Sequence, residues 1–476
     1  MISSNIIFAQ DKTEEKEKKE KSNKNLPIKP GRFFDLNTDT GSWMSLDVSP
    51  DGQTIVFDLL GDIYSIPISG GKAKRITKGM AFDSHPKYSP NGESIVYVSD
   101  KSGGNNVWIR DLNSNDSIQI TKEKDNQTAF ADWSKDGDYL IVSKGRRNLK
   151  LYMYHKDGGN GVKLIDKPSS LKIVQPEVGI NDRYIWYANR TNSWQYNAGL
   201  PQYQISKYDR ETGDIKRETS RFGSAFTPTL SPDGKSLVYG TRYEDKTALR
   251  IRNLETGYEK WLAFPVQKDD QESQATMGVL PNMAFTPDSK NLILSYGGKI
   301  NKIDINEGKS YEIPFQINET IEVGPELKFD YEISDEKSMI VNQIRNPSVS
   351  PDNKKITFTA LNKLYVMDLD SNQITRLTSF EDETIEAMPN WGPDGKEIVF
   401  VTWNDNIGGS LYKVRSDGKR EPFLLTQSNE RRINGVYMNP RWNPAGDRIV
   451  FTIGDARNYR SSEGPGAFKS NEKIMW

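Results

Sequence analysis

Ser49-Pro50-Asp51-Gly52 decides the fold of this chain, because the same tetrapeptide returns along its length. Proline presets φ for the second position of a tight turn, Asp or Asn bonds local backbone, and Gly accepts a positive φ. The clear copies are Ser89-Pro90-Asn91-Gly92, Ser231-Pro232-Asp233-Gly234, Ser350-Pro351-Asp352-Asn353 and Gly392-Pro393-Asp394-Gly395. The looser copies are Ser134-Lys135-Asp136-Gly137, Thr286-Pro287-Asp288-Ser289 and Asn443-Pro444-Ala445-Gly446. A turn that recurs ahead of short β-branched or aromatic runs indicates a repeat architecture.

The first unit shows what is repeated. Short runs at 43–48, 54–60, 63–68 and 73–77 alternate with turns and predict a four-stranded antiparallel meander. A threonine occupies one matched place near the end of several units: Thr77, Thr121, Thr378 and Thr426. The turns start 40, 45, 97, 55, 64, 42 and 51 residues apart, and the interval of 97 is about two units, with the degenerate turn Gly179-Ile180-Asn181-Asp182 in its middle. Nine four-stranded units of this length are typical of propeller blades.

Nine blades exceed the usual four to eight of one ring. Between residues 316 and 340 the repeat pattern is lost, and proline and acidic residues accumulate. We therefore predict an all-β chain with a six-bladed β-propeller at 32–315, a linker at 316–340 and an incomplete second propeller at 341–476. One unusually large ring is the alternative.

The two ends of the chain suggest an exported fragment. Residues 1–9 are short and apolar and end in Ala9, which predicts the remnant of a secretory signal and a periplasmic or extracellular location. Residues 10–31, rich in Lys and Glu, predict a disordered tether. The ninth unit stops at Trp476 within its third strand, so we expect an N-terminal fragment of a longer protein. No apolar run reaches the length of a membrane span.

The composition excludes several kinds of chemistry. The chain has no cysteine, only two histidines (His85 and His155) and a net charge of −1, so neither thiolate chemistry, a histidine-rich metal centre nor a basic nucleic-acid surface is predicted. There is no Gly-x-Ser-x-Gly elbow and no phosphate-binding loop. We therefore assign no catalytic residue and no cofactor to this chain.

Two features remain as candidates for binding. His85 precedes a turn on an innermost strand, where it could face the channel with Asp83 orienting it; a structural imidazole is the alternative. The densest aromatic stretch supplies Trp186, Trp194, Tyr196 and Tyr203, which could anchor a peptide, a glycan or a partner domain. Packing between neighbouring blades is the alternative for these aromatic residues.

Two stretches carry a family resemblance. Residues 45–64 resemble the opening of secreted bacterial proteins in which TolB-like propeller repeats precede a C-terminal metal-dependent amidohydrolase domain, and residues 345–361 resemble later repeats of that family. TolB itself has an α/β domain ahead of its propeller, whereas only about 30 tether-like residues precede the first blade here. The family's metal ligands lie in the C-terminal domain, and no position in this chain matches them.

The resemblance implies one function and leaves two alternatives. The propeller would gate access or present a peptide or other periplasmic substrate to the chain's own C-terminal catalytic domain, which would use a divalent metal to hydrolyse a C–N bond. The first alternative is the propeller of a tricorn-like or prolyl-oligopeptidase-like serine peptidase. The second is a non-enzymatic, TolB-like periplasmic scaffold that binds a protein partner.

Overall fold

A computed structural model describes residues 30–124, 127–193, 199–243, 246–326, 334–426, 435–454 and 473–475. Within these ranges the chain forms strands and turns and no helix, which confirms the predicted all-β fold class of antiparallel four-stranded sheets. The chain divides into two compact units, residues 1–328 and 329–476. Strands are numbered below in chain order, and each four-stranded sheet is called a blade.

The first unit contains six blades and one additional strand pair. The pair is formed by β1 (Arg32–Thr38) and β27 (Phe315–Val323). Blade 1 contains β2 (Leu46–Val48), β3 (Thr54–Leu59), β4 (Asp62–Pro67) and β6 (Lys74–Arg75), with the short β5 (Gly71–Lys72) beside it. Blade 2 contains β7 (Asp83–Tyr88), β8 (Ser94–Ser99), β9 (Asn106–Asp111) and β10 (Ser117–Gln119). Blade 3 contains β11 (Gln127–Trp133), β12 (Tyr139–Gly145), β13 (Lys150–His155) and β14 (Gly158–Ile165).

The remaining blades of this unit follow the same order. Blade 4 contains β15 (Lys172–Val178), β16 (Tyr184–Arg190), β17 (Gln204–Asp209) and β18 (Ile215–Arg217). Blade 5 contains β19 (Phe226–Leu230), β20 (Ser236–Tyr243), β21 (Lys246–Asn253) and β22 (Glu259–Ala263). Blade 6 contains β23 (Ala284–Phe285), β24 (Asn291–Tyr296), β25 (Lys299–Asp304) and β26 (Ser310–Ile313).

The second unit continues the repeat. Blade 7 contains β28 (Arg345–Val349), β29 (Lys355–Ala360), β30 (Lys363–Asp368) and β31 (Ile374–Arg376). Blade 8 contains β32 (Ile385–Trp391), β33 (Glu397–Asn404), β34 (Gly408–Arg415) and β35 (Phe423–Leu424). Blade 9 contains β36 (Val436–Trp442), β37 (Ile449–Gly454) and β38 (Lys473–Met475).

The repeated tetrapeptide connects the first and second strands of a blade through a fixed set of hydrogen bonds. In blade 1 the Ser49 hydroxyl donates to Asp51 Oδ1 (2.6 Å), and Gly52 N donates to Ser49 O (2.8 Å). The N–H of Thr54 then donates to Ser49 Oγ (3.0 Å). The hydroxyl bond holds the pKa of Asp51 below its usual value. The turn therefore fixes where the second strand begins.

The matched threonine closes the opposite end of the blade. Thr77 Oγ1 accepts the N–H of Ile63 (2.9 Å), and Thr121 Oγ1 accepts the N–H of Val107 (2.9 Å). In both cases the donor lies at the start of the third strand, beyond the residues that pair with the short fourth strand. A buried N–H without an acceptor is costly, which explains why threonine returns at this place.

In six of the nine blades, the innermost strand is bent by a bulge at a residue that precedes proline. His85, Gln175 and Thr227 have φ between 49° and 55°, and the strand register shifts at each of them. The six dipeptides are His85-Pro86, Gln175-Pro176, Thr227-Pro228, Asn346-Pro347, Met388-Pro389 and Asn439-Pro440. Proline suits this place because the innermost strand is a sheet edge and the bulge needs no ladder donor.

The first unit closes where blade 6 packs on blade 1. Ile293 and Ile300 of blade 6 share a buried cluster with Ile55 and Phe57 of blade 1. Outside this seam, β1 pairs with β27 along seven residues, and β27 pairs with β5 of blade 1. We call this three-stranded sheet the strap.

The strap differs from the linker predicted at 316–340, because that range begins inside strand β27. Phe315, Ile317 and Ile321 are buried and alternate with polar residues, as a strand with one covered face requires. Of the acidic residues that suggested a linker, Glu322 lies on the other side of this alternation and pairs with Arg75, whereas Glu319 lies on the side of Ile317 and Ile321.

Candidate functional site

The innermost strands bring six repeat-equivalent side chains together at the turn end of the first unit. Each lies two residues before the first residue of its turn: Asp47, Lys87, Asp132, Glu177, Thr229 and Ala284. They line a cavity of about 370 Å³. Exposed prolines of the turns form its rim: Pro50, Pro90, Pro232 and Pro287. We call this cavity the channel mouth.

An ion cluster occupies the channel mouth. Lys87 Nζ lies 3.0 Å from Asp132 Oδ1 and 2.7 Å from Glu177 Oε2, and the three side chains are only 10–16% exposed. Burial alone would lower the pKa of Lys87, but the carboxylates of Asp132, Glu177 and Asp47 outweigh it and the pKa is raised. The buried cluster therefore contains one firmly protonated ammonium group among three carboxyl groups, and the exposed Lys135 also lines the mouth.

Burial shifts the pKa of the carboxyl groups of Asp47 and Glu177 in the opposite direction, upward. Burial raises the pKa of Asp47 to about 7, against the attraction of Lys87. Burial also raises the pKa of Glu177. With three carboxyl groups against Lys87 and Lys135, the channel mouth becomes negatively charged as Asp47 and Glu177 ionise, which happens as the pH rises through neutrality.

These carboxylates also join neighbouring blades. Asp47 Oδ2 accepts the N–H of Tyr88 (2.8 Å), and Asp132 Oδ2 accepts the N–H of Val178 (2.7 Å). Each donor is the residue immediately before the turn of an adjacent blade. A ligand that binds here meets acceptors that the backbone holds in place, which is what a preorganised site requires.

The opposite end of the channel is closed by residues 264–283, the closing loop between β22 and β23. Gln175 Nε2 donates to Leu280 O and to Asn282 Oδ1, both at 2.9 Å. The buried pair of Arg242 and Asp269 (2.6 Å) fixes the start of the loop. The channel is therefore accessible from the turn end and filled by protein at the other end.

His85 lies beneath this loop and not at the channel mouth. The backbone N–H of His85 donates to Asp58 Oδ2 (2.8 Å), and its ring Nδ1 lies 3.1 Å from Ser84 Oγ. The ring is 3% exposed, and burial lowers its pKa to about 4. This arrangement is that of a neutral structural imidazole. Ser84 contacts the ring and Asp58 contacts only the backbone of His85, whereas we expected Asp83 to orient the ring.

The aromatic residues that were candidates for a binding surface are interior where the structure describes them. Trp186 is 6% exposed and packs with Ile205 and Leu237 between blades 4 and 5. Tyr203 is fully buried in a cluster that reaches blades 3 to 6. Trp194 and Tyr196 lie outside the described residues. Neither described residue projects to an external partner, in agreement with the packing alternative.

The channel mouth was not predicted from the sequence, although its signal is present there. The turn tetrapeptides supply the register, and reading two residues back from each of them gives Asp47, Lys87, Asp132 and Glu177. Four charged residues at one matched position of an innermost strand are unusual, since this strand borders the core. In the parts of the chain that the structure describes, no group of three His, Asp or Glu residues could hold a metal ion. Within the same parts, no helix is long and apolar enough to span a bilayer.

Comparisons with known proteins match this architecture. The model of the TolB beta propeller domain family matches residues 35–197. The Tol-Pal system protein TolB of Francisella tularensis subsp. tularensis is 31% identical over 362 residues, which cover 69% of this chain and 75% of that protein. The chain belongs to the TolB-like β-propeller family. This confirms the coarser part of the family resemblance, the TolB-like propeller.

Two further matches cover less than half of the matched protein. An uncharacterized protein of Agrobacterium fabrum is 30% identical over 135 residues, which are 25% of this chain and 44% of that protein. The crystal structure of the tricorn protease is 13% identical with a TM-score of 0.45, and the match covers 87% of this chain and 47% of that one. The chain thus spans less than half the length of both proteins.

Proposed function

We propose that the TolB-like propeller of this chain is a binding module that receives a basic segment of a protein or peptide at the channel mouth. The observation that carries the proposal is the set of three carboxyl groups, against Lys87 and the exposed Lys135, in a channel that opens at the turn end in the described part of the chain. A Lys or Arg side chain that enters there meets Asp47 and Glu177, whose carboxyl groups burial has already partly desolvated. Buried opposite charges that are well paired contribute affinity and orientation.

Peptide binding by the full chain tests this proposal. We expect an amidated Lys-Arg peptide to bind more tightly than its Asp-Glu counterpart, and its affinity to fall with added salt. Glu177→Gln should weaken binding of the basic peptide about 10-fold, the loss of one charge-assisted contact. Asp157→Asn, at an exposed carboxylate outside the channel, is the matched control. Equal binding of both peptides, or an unchanged affinity in Glu177→Gln, would show that the channel mouth is not the site.

We propose further that this module serves an exported amidohydrolase-like hydrolase that acts on C–N bonds. The resemblance of residues 45–64 and 345–361 supports this context. No residue of the chain matches the metal ligands of that family, so the divalent metal and the hydrolytic step are assigned outside it. The propeller would gate access or present the substrate to the catalytic domain.

The complete coding frame distinguishes this context from its alternatives. A His-x-His-bearing domain after the propeller supports the amidohydrolase. A Gly-x-Ser-x-Gly elbow in its place would replace it with a serine peptidase. The TolB relatives, named as proteins of the Tol-Pal system, favour an exported protein-binding scaffold as the second candidate. That scaffold becomes the better proposal if neither motif is found.

A further inference from the structure

A second cavity lies at the seam of blades 1 and 2, on the side opposite the turns. Its volume is about 900 Å³, in the range of small-molecule sites. Residues 75–78 of blade 1 line one wall, and Tyr97, Lys101 and Arg110 of blade 2 line the other. We call it the seam cavity.

Two cations of the seam cavity are linked by a chain of hydroxyl groups. Lys101 Nζ donates to Tyr97 OH (2.6 Å) and lies 3.7 Å above the Trp108 ring. Tyr97 OH donates to Ser117 Oγ (3.4 Å), which is 3.5 Å from Arg110 Nη1. Arg110 Nε is buried without a hydrogen-bond acceptor. Burial lowers the pKa of Lys101, and the charge of Arg110 lowers it further, although Asp83 acts in the other direction.

In other blades, a cation that lies over an aromatic ring is also paired with a carboxylate. Lys144 lies 4.3 Å above Tyr152 and 2.7 Å from Glu123. The further pairs are Lys207 above Tyr184 with Glu218, Arg250 above Trp261 with Glu259, and Lys413 above Phe423 with Glu397. For Lys101 and Arg110, no carboxylate of the described residues lies within 4.0 Å. The seam cavity thus has the cations and the aromatic ring, whereas its own carboxyl groups, those of Asp83 and Asp100, lie more than 4.0 Å from both cations.

The sequence shows which matched position of this seam lacks a carboxylate. Glu123, which reaches Lys144 at the next seam, lies two residues after the matched threonine Thr121. The corresponding residue after Thr77 is Gly79, which has no side chain. Its neighbours Lys78 and Met80 line the seam cavity. No atom lies within 4 Å of a Cβ built on Gly79, and the Glu322 carboxylate, which pairs with Arg75, interacts with the Gly79 backbone only.

We propose that the seam cavity binds a small molecule with a carboxylate group, which occupies the space left at Gly79 and contacts Lys101 Nζ and the Arg110 guanidinium. The ligand supplies the acceptor that Glu123 supplies in blade 3. Arg110 offers a planar fork that suits a carboxylate, and Lys101 offers a point charge. The site is separate from the channel mouth and independent of the function proposed above.

Calorimetric titration of the full chain with citrate, inorganic phosphate and glycerol tests the proposal. We expect citrate to bind, phosphate to bind more weakly and glycerol not to bind. Lys101→Met and Arg110→Gln should each weaken citrate binding about 10-fold or more. Lys413→Met, which removes a similar cation whose carboxylate is internal, should leave it unchanged. Gly79→Glu should abolish binding while retaining both cations, although φ of +110° at Gly79 strains this variant.

Each contrary result has a defined meaning. No heat with citrate at millimolar concentration overturns the site. Equal affinities for citrate and phosphate overturn the carboxylate class and leave a nonspecific anion site. Citrate binding that persists in folded Lys101→Met and Arg110→Gln variants overturns the assignment to this cavity. Circular dichroism of each variant verifies folding. Because the two cation variants are independent, the assignment can still be tested with one of them if the other fails to fold.

Discussion

Replacing Lys87 by methionine tests the role of the ion cluster at the channel mouth. Methionine keeps most of the length of the side chain and removes the ammonium group. The substitution therefore breaks the ion pairs of Nζ with Asp132 Oδ1 (3.0 Å) and Glu177 Oε2 (2.7 Å). Removing one partner of a buried ion pair costs about 3–5 kcal/mol, because the other charge is left without compensation. For a unit of this size, that corresponds to about 6–10 °C in the melting temperature at pH 8.

The destabilisation should depend on pH in a defined direction. The folded-state pKa values of Asp47 and Glu177 are already raised by burial, and removal of the ammonium raises them further. The unfolded chain has carboxyl pKa values near 4, so between about pH 4 and the folded value the folded state binds more protons. Stability then falls as the pH rises, and it falls more steeply in the variant. At pH 5 most of the stability that the variant lacks at pH 8 should be recovered.

Thermal unfolding at pH 5 and pH 8, followed by near-ultraviolet circular dichroism, measures both effects. Two transitions are expected because the chain has two compact units, and the one belonging to the first unit is compared. Lys135→Met is the matched control, since Lys135 lines the same mouth but is exposed, and it should change stability by less than about 0.5 kcal/mol. A destabilisation below about 1 kcal/mol in Lys87→Met, or one that is equal at both pH values, would refute the reasoning.

Three further variants test the packing that supports the site. Thr121→Val leaves the buried N–H of Val107 without its acceptor (2.9 Å) and should lower the free energy of unfolding, measured by urea titration, by about 1–3 kcal/mol. No change would contradict the role given to the matched threonine. Gly223→Ala places a Cβ 1.9 Å from Arg242 O and should lower the free energy of unfolding by about 1–3 kcal/mol or more. Gly199→Ala, in open space, is its control and should lower the free energy of unfolding by less than about 0.5 kcal/mol. Asp269→Asn should cost about 3 kcal/mol and speed proteolytic cleavage within residues 264–283, and an unchanged cleavage pattern would argue against its anchoring role.

The fold could be predicted because its turn chemistry is local. Ser49 and Asp51 bond each other and the next two backbone groups, so the same few residue types must return wherever a first strand turns into a second. The matched threonine is equally local, since it serves a donor within its own blade. Both signals depend on side chains that act within one blade, at separations of 2 to 5 residues for the turn and 14 for the threonine, and a single sequence displays them directly.

The site could not be predicted in the same way because its side chains come from distant blades. Lys87 meets Glu177 across 90 positions of sequence, and no local pattern links the two. Trp186 and Tyr203 were ambiguous for a related reason, since an aromatic residue suits a surface anchor and a blade seam equally until the neighbouring blade is placed. Strand β27 was missed because its buried isoleucines are spaced among acidic and amide residues that resemble a linker.

The strap has a consequence for how the first unit can be joined to other proteins. Arg32 and Val323 are direct partners in the β1–β27 ladder, so the unit begins and ends at nearly the same point. A domain whose two ends coincide can be spliced into a surface loop of a host protein without stretching that loop. A pulling force applied at the two ends would act on this seven-residue ladder before it reached any blade. The strap is therefore both the attachment point of the module and the part that determines its mechanical resistance.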